Sequence, residues 1–84
     1  MATFLVEAYV PGAEAQDPRL AGRRMRDAAR RLSGEGISVR YVRTTLLPSD
    51  ETCFHVLAAD SRAAVAAACR LAGLERARIV DAVE

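Results

Sequence analysis

Residues 39–59, VRYVRTTLLPSDETCFHVLAA, admit few folds. Val39, Tyr41, Val42, Thr44 and Thr45, and after them Thr52, Phe54 and Val56, are β-branched or aromatic side chains that suit a pleated surface. Pro48-Ser49-Asp50 between them is turn chemistry: the proline ring presets φ, and the aspartate bonds its own backbone. The stretch reads as a β-hairpin. With Pro48, Ser49 and Asp50 as the loop, Leu47 lies opposite Glu51 and Thr45 opposite Cys53. Arg43 then lies opposite His55, and Tyr41 opposite Leu57. Alternate residues share a face, so Tyr41, Arg43, Cys53 and His55 are expected together. A one-residue slip would scatter them.

The flanking segments carry equally local signals. Ala2 to Val10 reads as a strand ending at Pro11-Gly12, with Leu5, Glu7 and Tyr9 on one side and Phe4, Val6 and Ala8 on the other. Pro11 to Gln16 reads as a loop. Asp17-Pro18 opens a helix: Asp is a good N-cap, and Pro is pre-set for the first helical position. Ala21, Met25, Ala28 and Leu32 make one apolar stripe, and Arg23, Arg26 and Arg30 lie off it. Gly34 and Gly36 can end the helix with positive φ. Ile37 to Leu46 and Glu51 to Ala59 are the hairpin strands. Asp60 or Ser61 caps a second, Ala-rich helix with Val65, Ala68, Leu71 and Ala72 inward and Gly73 just past its end. Arg78 to Val83 is a last short strand, its faces marked by Ile79 and Val83 or by Val80 and Ala82.

Strand, helix, strand, strand, helix, strand is the split βαβ order. The expected fold is α+β: a ferredoxin-like βαββαβ sandwich over residues 1–84, one domain, with a four-stranded antiparallel sheet and both helices on one face. Two right-handed crossovers interleave, which puts the first and third strands at the centre. The helix-free face is expected to carry Leu5, Tyr9, Tyr41 and Leu57. That is much apolar surface to leave wet, and a second copy packed sheet to sheet, a homodimer, is the simplest cover.

Composition narrows the function classes. The formal charge is +1, against strong non-specific nucleic-acid binding. Two cysteines in 84 residues are too few for a disulfide scaffold, so Cys53 and Cys69 are expected as reduced thiols. No run is long and apolar enough to span a membrane, and MATFLVEAYV lacks the basic start of a signal peptide. A cytoplasmic, soluble protein is expected. No phosphate-binding glycine loop, paired-Cys motif or nucleophile elbow is present.

Glu7 is the most suggestive residue, a carboxylate inside a strand expected to be central. On the helix-free face it would neighbour His55, the only histidine, with Arg43 one strand further on. Glu7 and His55 suit general-base or metal-ligand roles, and Arg43 an anion anchor. Cys53 adds a third donor for a metal. The plain alternatives are a structural salt bridge for Glu7, a satisfied histidine at 55 and a small buried hydrophobe at 53. On the first helix, Arg19, Arg23, Arg24, Arg26, Arg30 and Arg31 outnumber Asp17 and Asp27 by four. Such a run is usually a solvated face.

Two patterns, FLVE-x-x-x-PGA near the start and VRY-x-x-[ST]-x-x-x-x-x-[DE]-x-x-C in the hairpin, carry a resemblance over nearly the whole chain. The sequence resembles small ferredoxin-like proteins of bacteria, especially actinobacteria, known as nickel-binding or of unknown function, near the dimeric α+β barrel group. The resemblance implies a dimer with facing sheets and, in some members, nickel; Glu7 and Cys53 match the pattern. Arg43 and Ala68 stand where the pattern often has histidines, and an arginine there suits an anionic or carbonyl-bearing organic ligand better than a cation.

Three functions follow as expectations. The first is a small ligand- or metal-binding protein, nickel being the ion implied, with Glu7, Arg43, Cys53 and His55 lining a pocket walled by Tyr9 and Tyr41. The second is a metal-independent enzyme of the dimeric barrel type, moving a proton with His55 or Glu7 and holding an oxyanion with Arg43 on a small carbonyl or aromatic compound. The third is an interaction module whose Arg-rich helix docks an acidic partner.

Overall fold

The computed structural model describes residues 1–10 and 17–83. Its elements run β1 (Ala2–Tyr9), α1 (Pro18–Gly34), β2 (Val39–Leu47), β3 (Thr52–Ala59), α2 (Arg62–Leu71) and β4 (Arg78–Ala82). The sheet order is β2-β3-β1-β4, all neighbours antiparallel, with the first and third strands central as the crossover rule requires. This is the ferredoxin-like α+β arrangement. The expected loop at Pro11 to Gln16, and the Pro11-Gly12 pair with it, lie outside the described residues. Among the described residues, no helix is long and apolar enough to cross a membrane.

Local chemistry sets the helix ends. The Asp17 carboxylate accepts from the Arg19 N–H at 3.2 Å, capping α1. Of the two candidates for α2, Ser61 is the cap, its hydroxyl accepting from the Ala64 N–H at 3.1 Å. After α1 the positive φ falls on Gly36 alone, at 87°; Gly34 is still helical. Gly73, at φ 79°, turns the chain out of α2. Arg62 then ties the first turn of α2 to the sheet edge, donating to the Ile79 carbonyl at 2.7 Å and pairing with Asp81 at 3.3 Å.

Between helices and sheet lies the core, with Phe4, Val6, Met25, Leu32, Leu57 and Val65 at its centre. Two side chains exchange their expected places. Leu57, assigned to the bare face, is fully buried under the helices, whereas Leu71, assigned to the inner face of α2, is 45 % exposed. Cys69 occupies the inward position instead. Tyr41 likewise packs against the core, leaving Leu5 and Tyr9 of the four residues expected on the open face.

Leu57 faces the helices because it pairs with Phe4 of β1; the hairpin register departs from expectation separately, nearer the turn. Leu47 pairs with Thr52, not Glu51. Pro48–Asp50 form a single 3₁₀ turn, and Glu51 follows in the left-handed region at φ 49°, its N–H donating to the Pro48 carbonyl. The loop is therefore four residues long. Glu51 is held there by the end of β1: its carbonyl accepts from the Val10 N–H at 2.7 Å, and its carboxylate accepts from the Tyr9 hydroxyl at 3.1 Å. The extra residue moves Thr45 opposite Phe54, Thr44 opposite His55 and Arg43 opposite Val56. A β-bulge at Val42 then removes the slip, and Tyr41 meets Leu57 as expected.

Candidate functional site: a buried hydroxyl–imidazole line beneath α1

Cross-strand partners share a face, so the pairings sort every candidate residue. Val6 pairs with His55 and Ala8 with Cys53, which places His55 and Cys53 on the helix-covered face. Glu7 pairs with Phe54 on one side and Arg78 on the other, on the bare face. Glu7 and His55 therefore stand on opposite sides of the sheet, and the expected pocket of Glu7, Arg43, Cys53 and His55 does not form. Arg43 shares the bare face with Glu7, two strands away. Tyr9, the other expected wall, is 68 % exposed on that face beside Glu51, which raises its pKa through their hydrogen bond. The three-donor set of Glu7, Cys53 and His55 is thus split. No group of three His, Cys, Asp or Glu side chains gathers among the described residues.

What gathers instead is a line of four side chains on the covered face. Cys53 Sγ lies 3.4 Å from His55 Nε2. His55 Nδ1 lies 2.7 Å from Thr44 Oγ1, which lies 2.6 Å from the Tyr41 hydroxyl. The bulge makes this possible: with it, Tyr41 and Thr44, three residues apart, both face the helices. Helix α1 sits directly on the hydroxyl pair. A Cβ on Gly22 would lie 2.9 Å from the Tyr41 hydroxyl and 3.2 Å from Thr44 Oγ1.

Burial fixes the protonation states. His55 is fully buried, and desolvation pushes its pKa down to about 4, so the ring is neutral at pH 7. Burial raises the Cys53 thiol, and lifts that of Cys69 to about 11 against the opposing pull of Arg70. Both thiols are free and protonated near neutrality. A neutral imidazole has one donor and one acceptor nitrogen, so the line has two self-consistent polarities. In one, Tyr41 donates to Thr44, Thr44 to Nδ1, and Nε2–H points at the Cys53 sulfur. In the other, Cys53 S–H donates to Nε2, Nδ1–H to Thr44 and Thr44 to Tyr41, whose own proton is then free for an acceptor outside. Either polarity leaves the line without net charge in the core.

The outer end opens into a surface cavity of about 400 Å³ between α1 and β2, lined by Arg19, Gly22, Arg23, Arg26, Tyr41 and Thr44. Arg19 is paired with Asp17 at 3.6 Å and Arg26 with Asp27 at 3.3 Å; Arg23 makes no ion pair with a described carboxylate. Two hydroxyls and a spare guanidinium at a concave surface suit an anionic or carbonyl oxygen.

Sequence reasoning put Tyr41, Cys53 and His55 on one face, as found, but joined Arg43 and Glu7 to them and left that face bare. Thr44 and Gly22 were missed. Gly22 did leave a signal: a glycine inside a strong helical pattern costs about 1 kcal/mol relative to alanine, and so marks a close approach. Compared with known proteins, the chain has no match to a family model, to a curated protein or to a solved structure.

Proposed function

We propose that this is a small-ligand-binding protein whose occupant is an organic anion seated in the groove between α1 and β2. The observation that carries the reading is the Tyr41–Thr44 hydroxyl pair, backed by a buried neutral histidine and facing a cavity walled by arginines. An acceptor oxygen in the cavity selects the polarity in which Tyr41 offers its proton outward. The same line supports a second reading, proton transfer to a carbonyl-bearing anion, with Tyr41 as the donor, in place of the His55 or Glu7 expected from sequence to move the proton. Either way the bland alternative is a satisfied buried histidine under a solvated arginine face.

Titration of ¹⁵N-labelled protein with orthophosphate and with small carboxylates, 2-oxo acids included, tests the reading. Saturable amide shifts at Gly22, Tyr41 and Thr44 are expected. Arg23→Ala weakens that binding about fivefold, the worth of one charge-assisted hydrogen bond discounted for its exposure. Shifts that never saturate, or that miss these three residues, refute it. Nickel added to a parallel sample reads the metal alternative, whose remaining donors are Cys53 and His55; shifts confined to those two residues favour it over the anion.

We also infer that a second copy covers the bare sheet face. Leu5, Phe54 and Val80, each half-buried, form an apolar band across β3, β1 and β4, and a self-complementary two-fold contact is the simplest way to remove it from water. Sedimentation equilibrium should give a dimer that Phe54→Arg converts to monomer. A wild-type chain that stays monomeric at several hundred micromolar disposes of the idea.

A further inference from the structure

The hydroxyl pair does not sit at the end of the groove. A second cavity of about 420 Å³ adjoins the first, and its lining includes Arg30, Ser33, Ser38 and Arg40. Arg26 and Tyr41 border both cavities. On α1, Arg19, Arg23, Arg26 and Arg30 recur at steps of four, three and four, one stripe along the groove wall. No described carboxylate lines either cavity.

Neutralisation along that stripe is uneven. In the middle, Arg26 is held by Asp27. Arg23 on one side and Arg30 on the other make no ion pair with a described carboxylate. Uncompensated positive charge therefore lies at two places with Tyr41 between them. A ligand with a single anionic group satisfies one and leaves the other bare.

Building on the anion-binding reading, we infer that the groove takes a bis-anionic organic ligand: one acidic group on Arg23, the other on Arg30, and a spacer passing Tyr41. Arg23 and Arg30 are separated by about 10 Å along the helix at 1.5 Å per residue, which sets the span. Joining two weak sites through one molecule makes the second contact intramolecular, and affinity rises by tenfold or more when the spacer fits. A spacer too short for the interval gives no such gain, even at equal charge.

The test uses the intact chain and two dicarboxylates of equal charge, octanedioate and butanedioate, with amide shifts as the readout. Octanedioate, long enough for the interval, is expected to bind at least tenfold more tightly than butanedioate. Arg23→Ala and Arg30→Ala should each bring it down to the butanedioate level. Arg70→Ala, the same charge change on α2 outside both cavities, should leave it within twofold. All three substituted arginines are exposed, so the variants stay folded. Equal affinities for the two diacids overturn the proposal, and so does an Arg70→Ala loss as large as that of Arg30→Ala, which would show diffuse attraction alone. The underlying anion reading is judged separately, by whether butanedioate shifts Tyr41 and Thr44 at all.

Discussion

Between pH 6.5 and pH 4 the wild-type protein will lose about 3 kcal/mol of stability that a His55→Leu variant will not lose. The folded ring is pushed down to about 4 by burial, from an ordinary value of 6.5. Above pH 6.5 it is neutral in both states and contributes no pH dependence. Between the two values the unfolded chain binds a proton that the native state refuses, so stability falls by about 1.4 kcal/mol per pH unit as the solution is acidified. Below pH 4 both states are protonated and the loss levels off.

At pH 7 the variant starts lower by on the order of 1–2 kcal/mol, because the Thr44 hydroxyl loses a buried partner. The two stability curves should therefore cross inside the window. Urea unfolding of both proteins at half-unit steps reads this directly, and titrations common to both cancel in the difference. Parallel curves would mean that His55 is hydrated or paired with a charge, and the neutral hydrogen-bonded line would go with it.

Leu57→Ala should cost about 3 kcal/mol, while Leu71→Ala stays within about 0.5 kcal/mol of wild type. Leu57 is fully buried on β3 between Phe4 of β1 and Tyr41 of β2, facing Met25, Leu32 and Val65. Truncation removes the transfer energy of the lost carbons and leaves a void that a two-layer core closes only in part. Leu71 is 45 % exposed on α2 and leaves nothing to fill. For 84 residues the total stability is about 4–13 kcal/mol, so the first loss is a large share of it. The urea midpoint should drop sharply for Leu57→Ala at unchanged slope. Similar midpoints for the two variants would mean that the faces of β3 and α2 have been assigned the wrong way round.

That pair of leucines also marks where sequence reading stops. Periodicity recovers the helices and strands because their signals are local: Asp17 caps α1, Ser61 caps α2, Pro48 opens the turn, and alternating apolar residues mark β1. It recovers topology too, because crossover handedness leaves few arrangements of these elements. Faces in the hairpin are a different kind of fact. They depend on whether the loop holds three residues or four, and on a bulge at Val42. Glu51 looks like a strand residue in sequence; it becomes a loop residue because Tyr9 and Val10, over forty positions earlier, hold its carboxylate and carbonyl.

The chain's own residues thus determined a βαββαβ sandwich, its central strands, its caps, and the residue types with chemistry to offer. Only the tertiary structure decided which of them meet. Side chains in a strand alternate with a period of two, so a single added residue carries Arg43 to one side of the sheet and leaves Thr44 to face His55 on the other. The contacts that add that residue come from a strand distant in sequence, where no local pattern records them.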